Sequence, residues 1–404
     1  MARGGYRIFD ADTHIIEPVE PIEQHLAAAD RAKLAALGPR VGREPGKAGM
    51  SRYLVGKRPT LNRRLGSRER VAPPVRKDRD GGTPWDVRWQ GPPFPTDRVS
   101  FDPHARVRDM DLEGIDVNMI LPSGGVPAFC SLDDVQLELA VYQAYHRFLA
   151  DYCGPYPERL TSVILVSARD VASSVAEMKR CAKASWPVGI FPICPPDLSL
   201  DDPEWEPIWA AAEALDLTVA IHSFTMTVPY PPGTWDTWDN VFLQRAAGHV
   251  WNAQRNMAAL IGAGVLDRYP DLRITALECG HGWLAFWAAR LDELAEMSRH
   301  ALPPLKQKPS EYVRGPQYFQ SIQLHEGEQS LRHAIEALGD DTLMFATDYP
   351  HSESWFPKSV DVVLGWTSLP ETTRRKLLWD NAARCYRRYG ARALTRGSSP
   401  GPSG

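Results

Sequence analysis

Eight short runs of β-branched and apolar residues recur along the chain, at Arg7–His14, Val117–Ser123, Leu160–Ala168, Val188–Ile193, Leu217–Ser223, Leu272–Gly280, Phe319–Leu324 and Leu343–Asp348. Between them lie longer segments with apolar residues at helical spacing, among them Ser131–Tyr152, Val171–Ala184, Glu204–Leu215, Trp283–Ser298 and Gln329–Leu338. Strands that alternate with helices in this way pair in parallel and are joined by crossovers. The first strand is not followed by a Gly-rich dinucleotide turn, so eight strands predict an α/β fold of the closed (β/α)8 type, a TIM barrel, over an open doubly wound sheet.

The 404 residues exceed the about 250 that such a barrel uses. The surplus is concentrated between the first and second strands, where about 100 residues stand in place of one helix and two loops. Within it, Pro18–Leu37 reads as a helix, while residues 71–103 hold ten Pro or Gly, two to three times the usual frequency. The same stretch carries Trp85, Trp89, Phe94 and Phe101, side chains large enough to need a packing surface. The expected organisation is barrel strand one with its motif at 1–18, an insertion at 19–105 lying over the barrel mouth, the rest of the barrel at 106–390, and a disordered tail at 391–404.

Charge separates the insertion from everything else. The chain is −4 overall, yet Arg52–Asp80 holds ten Lys/Arg and three acids, a local +7. This stretch is either a solvated excursion or a basic lid over an anionic substrate, and both readings stand. The overall balance gives no reason to expect a nucleic-acid partner. No run approaches the roughly 18 apolar residues of a membrane helix, and the opening residues lack a signal-peptide core, so the expected compartment is the cytoplasm. Six scattered cysteines without a C-x-x-C spacing indicate neither a disulfide framework nor a thiolate zinc site.

In a barrel of this class, chemistry gathers at the C-terminal strand ends. Four of these ends carry acids or imidazoles. Strand one closes with Asp12, His14 and Glu17, and residues two apart on a strand share a face, so Asp12 and His14 project together. Strand five is apolar until His222; strand six ends in Glu278 and His281; strand eight ends in Asp348, His351 and Glu353. Taken singly, Asp12 and Asp348 read equally well as helix caps, and His222 as a hydrogen-bonded structural histidine. Taken together, four such endings at one rim are costly to bury without a cation between them. Nitrogen and oxygen donors without thiolate suit zinc, manganese or iron better than calcium or magnesium.

The same residues carry a family resemblance. Asp-x-Asp-x-His-x-x-Glu-Pro at strand one, Arg108-Asp-Met-Asp-Leu-Glu-Gly-Ile-Asp116 before strand two, Glu278-x-Gly-x-Gly-Trp283 after strand six and Asp348-Tyr-Pro-His-Ser-Glu353 after strand eight resemble the amidohydrolase-related family. The branch is the one that includes aminocarboxymuconate-semialdehyde decarboxylase. The resemblance implies a catalytic divalent metal, zinc or manganese first and one or two irons second. Carried over, its ligands are Asp12, His14, His222 and Asp348, with Glu17, Glu278, His281 and His351 as further candidates. Asp12 stands where the family has the first histidine of a His-x-His pair. Glu278 occupies the position of the family's acid/base histidine and His281 lies three residues on, so either is the proton carrier. With Asp348 orienting water, these are the catalytic candidates. The resemblance also implies a homodimer.

The expected activity is metal-dependent hydrolysis or non-oxidative decarboxylation of a small carboxylate, amide or ester. Trp283, Trp85, Trp89, Phe94 and Trp355 suggest an aromatic body for the substrate, and Arg88, Arg106 or Arg108 would hold its carboxylate. Two other readings remain: a dinuclear iron or manganese–iron oxygenase on the same barrel, and a non-catalytic metal-binding subunit of an oligomer.

Overall fold

The structure, a computed structural model of the full chain, describes residues 3–37, 41–45, 51–55, 97–194, 198–222, 241–351 and 354–390. Among them, eight parallel strands follow one another in a single sheet. These are β1 (Phe9–Ile15), β2 (Val117–Pro122), β3 (Leu160–Ser167), β4 (Pro187–Ile193), β5 (Thr218–Ile221), β6 (Ile274–Ala276), β7 (Tyr318–Ser321) and β8 (Leu343–Met344). Each matches one of the eight runs read from the sequence.

The sheet closes where its last strand meets its first. Ala11 N–H donates to the Phe345 carbonyl at 3.0 Å, Asp348 N–H to Asp12 at 3.0 Å and His14 N–H to Tyr349 at 2.6 Å. Asp10 adds a side-chain clasp, accepting the Thr347 N–H at 3.0 Å and the Thr347 hydroxyl at 2.5 Å. This seam places the ends of β1 and β8 side by side, and with them Asp12, His14 and Asp348.

Crossover helices surround the barrel: α1 (Pro103–Glu113), α2 (Val135–Cys153), α3 (Val171–Cys181), α4 (Glu206–Ala214), α5 (Val241–Gly262), α6 (Leu284–Met297), α7 (Gly327–Leu338) and α8 (Ser359–Leu364). The first three start on carboxylate caps: Asp102 accepts from His104 and Ala105 N–H, Asp134 from Leu137 and Asp170 from Ser173. Helix α5 went unread in the sequence, although Ala253, Met257, Leu260 and Ile261 form a buried stripe at helical spacing along it.

The insertion after β1 differs in detail from its reading. In place of one helix over Pro18–Leu37 there are two, Val19–Glu23 and Ala28–Ala36, because the chain turns between them and buries Leu26. A two-stranded antiparallel hairpin follows, Val41–Pro45 with Ser51–Val55. Most of the basic stretch, Trp85, Arg88, Trp89, Phe94, Glu353 and the 391–404 tail lie outside the described residues.

Candidate metal centre

Four strand ends deliver one cluster. Asp12, His14 and His222 offer donor atoms within 4.8 Å of one another, as do His14, Glu278, Asp348 and His351. The local chain is shaped to this end: Glu278 and Asp348 both hold left-handed backbone, with φ of 48° and 59°. Such conformations are uncommon in residues other than glycine and concentrate where a side chain must be aimed.

His14 fixes the chemistry of the cluster. Its Nδ1 lies 2.9 Å from the Pro122 carbonyl, which can only accept, so Nδ1 carries the proton. Burial, and after it the charge of His351, holds the ring well below the usual histidine range, leaving it neutral with the Nε2 lone pair unprotonated. That lone pair faces two carboxylate oxygens, Asp12 Oδ1 and Asp348 Oδ1, each at 3.3 Å. Asp12 Oδ1, His14 Nε2 and Asp348 Oδ2 are all buried without a hydrogen-bond partner. Lone pairs converging in a dry site repel unless a cation lies among them, so the donor set fits a divalent metal. Burial pushes the Asp12 carboxyl up to about 7, and burial followed by the Glu278 charge raises Asp348. Both shifts are, first of all, the cost of keeping a carboxylate dry.

On the far side, His222 Nε2 lies 3.0 Å from Glu278 Oε2 and 4.0 Å from Asp12 Oδ1. Burial alone would raise the Glu278 carboxyl, but His249 and His222 outweigh it and hold Glu278 well below the ordinary range. His249, from α5, approaches Glu278 Oε1 at 3.4 Å. It was missed because α5 was missed.

His351 enters the cluster with both ring nitrogens engaged. Nδ1 lies 2.9 Å from Asp348 Oδ1 and Nε2 2.9 Å from the Ser123 hydroxyl at the end of β2. Its pKa is pushed up to about 9: burial opposes the charge, but Asp348 outweighs it. Ser123 also escaped the sequence reading, since a lone serine after a strand carries no signal.

Other candidates go elsewhere. Glu17 Oε1 accepts the Gly124 and Val126 N–H groups at 3.1 Å each, anchoring the loop after β2. The His281 ring packs against Glu326, with Nδ1 at 3.1 Å from its carboxylate, and the same carboxylate accepts the His281 and Gly282 N–H groups. Trp283 donates its indole N–H to the Cys279 carbonyl at 2.7 Å and so braces the turn after β6. Arg106 is fully buried and donates to the His14 carbonyl, which makes it a brace for the end of β1, while Arg108 is exposed on α1.

The sequence profile of the amidohydrolases matches residues 10–388. The chain belongs to the amidohydrolase family. Among relatives, it is 27% identical over 305 residues to a gamma-resorcylate decarboxylase of Polaromonas, spanning 70% of this chain and 86% of that one. A crystal structure of 5-carboxyvanillate decarboxylase from Sphingomonas paucimobilis superposes with a TM-score of 0.65 at 22% identity, over 94% of this chain and 99% of that one. The corresponding enzyme from Novosphingobium aromaticivorans, complexed with manganese and 4-hydroxy-3-methoxy-5-nitrobenzoic acid, gives a TM-score of 0.66 at 19% identity, over 96% and 98%. This amidohydrolase barrel therefore presents its acids and imidazoles at the rim where the family's chemistry is done.

Proposed function

We propose that this amidohydrolase is a metal-dependent, non-oxidative decarboxylase of a small aromatic carboxylate. The observation that carries the reading is the neutral His14 lone pair set between Asp12 and Asp348. The aromatic-acid decarboxylases among its relatives supply the substrate class. A divalent ion, manganese or zinc before iron, would be held by Asp12, His14, His222 and Asp348, and would supply positive charge for the oxygens of the substrate.

The chain's own groups divide the remaining work. In the reaction the ring carbon bearing the carboxylate gains a proton, the bond to that carboxylate breaks, its electron pair stays with the ring, and CO2 leaves. Glu278 is the group we assign to relaying the proton: held ionised in the cluster against His222 and His249, it would take a proton from a hydroxyl group of the substrate and pass it to the ring carbon, and that hydroxyl would recover its proton from water once CO2 has left, whereas His281 lies against Glu326. His351 and Ser123 hold Asp348 from outside. Water is excluded by the burial of the cluster, which strengthens each of these contacts.

The test is metal content together with anaerobic CO2 release from 2,6-dihydroxybenzoate and 5-carboxyvanillate. One manganese or zinc per chain with CO2 formed is the expected result. Two irons with oxygen consumed, or amide hydrolysis without CO2, would overturn it.

We also propose a homodimer in a reducing compartment. Supporting the first, α5 and α6 expose Phe242, Trp251, Phe286 and Met297 to solvent, with Phe242 at 76% and Met297 at 69% exposure, an apolar face that a second copy would cover. Supporting the second, all six cysteines are buried and free. No described helix is long and apolar enough to cross a membrane.

A further inference from the structure

The end of the barrel opposite the metal centre contains a cavity of about 590 Å3. Its lining includes Arg7, Arg273 and Gln317, the residues that precede or open the approach to β1, β6 and β7, which places it at the N-terminal face. In barrels of this class that face serves stability, and none of the chemistry assigned above reaches it. The volume lies in the usual range for small-molecule sites, about 300–1,000 Å3.

The walls combine aromatic surface with guanidinium groups. Trp379 supplies the accessible ring beside Pro270 and Pro316, with Phe319 buried behind, while Arg7, Arg273, Arg384 and Arg387 supply the charge, against the single acid Asp271. The cations are not equivalent. Arg384 is tied to Asp341 at 3.3 Å and to Asn381 Oδ1 at 3.0 Å, and Arg387 to Asp216 at 3.0 Å and to Asp271 at 3.8 Å. Arg7 has no hydrogen bond or ion pair among the described residues; its guanidinium lies over the Trp379 ring, 3.5 Å from the centroid. Contact with the ring holds that guanidinium at the aromatic surface, and its donors are left for a bidentate anion. Arg384 likewise stands over Phe319, 5.8 Å from its centroid. An uncommitted cation held against an aromatic ring, lining a ligand-sized cavity of net positive charge, matches one kind of occupant.

We propose that this cavity is a second binding site, separate from the metal centre, for a flat organic anion. The acidic group is held by the edge of Arg7, and the ring system lies along the apolar wall formed by Trp379, Pro270 and Pro316. The site does not depend on the decarboxylase reading, since no residue is shared between the two ends.

The probe is 8-anilinonaphthalene-1-sulfonate, titrated by calorimetry and fluorescence into the full-length, metal-loaded protein. Saturable binding near one per chain is expected, weakened about tenfold or more in Arg7→Glu, the loss of one charge-assisted contact. It should persist in Glu278→Gln, at the other end of the barrel. Arg7 is exposed, so its replacement leaves the fold intact, and Trp379→Ala is a second variant expected to weaken binding in the same direction. Binding that is unchanged in both Arg7→Glu and Trp379→Ala would overturn the proposal. So would displacement by inorganic phosphate at the same concentration as by an aryl sulfonate, which removes the aromatic requirement. Binding that emerges only after deletion of residues 391–404 would overturn it too, by assigning the cavity to the chain's own end.

Discussion

The imidazole of His351 lies flat against that of His14, ring centroids 4.2 Å apart and planes inclined by 23°. The two rings have opposite duties. His14 turns an open lone pair inward, whereas His351 spends Nδ1 on Asp348 and Nε2 on Ser123. The stack and the two hydrogen bonds therefore fix the donors of the cluster from behind.

That arrangement makes Ser123 a positioning residue. Ser123→Ala removes the contact that orients His351 and should weaken metal affinity by less than the about 10–100-fold usual for a direct partner of a metal ligand, which is the place His351 holds against Asp348. His14→Ala should lose the metal outright. Chelator competition on both variants, with circular dichroism to confirm the fold, checks the order; Ser123→Ala binding metal as tightly as the wild type would show His351 to be held by other contacts.

Glu278→Gln keeps the shape of the side chain and one acceptor for His222 while removing the ability to carry a proton. Loss of an acid/base group costs typically 10²–10⁴-fold in rate. We expect kcat to fall within that range with substrate affinity little changed. A variant that keeps most of its kcat would move the proton to another group.

The strands and their order were legible because buried parallel strands write themselves as apolar runs, and because the ligand-type endings at Asp12, His222, Glu278 and Asp348 interrupt such runs abruptly. Partners that work across long sequence separations were not legible. Ser123 meets His351 across 228 residues, and Glu326 meets His281 across 45; no local pattern marks either. His281 illustrates the cost of reading by proximity: it lies three residues from Glu278, but Gly280 at φ +73° turns the chain and sends the ring toward Glu326.

That turn yields a stability prediction. A Cβ on Gly280 would stand 2.1 Å from Glu326 Oε1, in a backbone conformation that side chains rarely adopt. Gly280→Ala should therefore destabilise the protein by about 1–3 kcal/mol, combining a steric clash with left-handed strain. Glu326→Ala in the same chain relieves the clash and leaves the strain, so the double variant should recover part of the lost melting temperature. Strict additivity of the two losses would show that the two residues do not interact.

Glu113, at the end of α1, gives a pH dependence that does not involve the metal centre. The side chain is buried and accepts the Ser359 N–H at 2.6 Å, and burial pushes its carboxyl from 4.5 up to about 7. A raised folded pKa means that the native state holds the proton more tightly than the unfolded chain. The stabilisation is fully present below about pH 4.5 and is lost as the pH climbs through 7, where the native state must bury the charge. The difference amounts to about 3 kcal/mol between those limits. Glu113→Gln retains an acceptor for Ser359 and cannot ionise, so its stability relative to the wild type should rise from pH 5 to pH 8. Urea unfolding of both proteins across that window measures the change, and a gap that stays constant with pH would show that Glu113 ionises in the fold as it does in water.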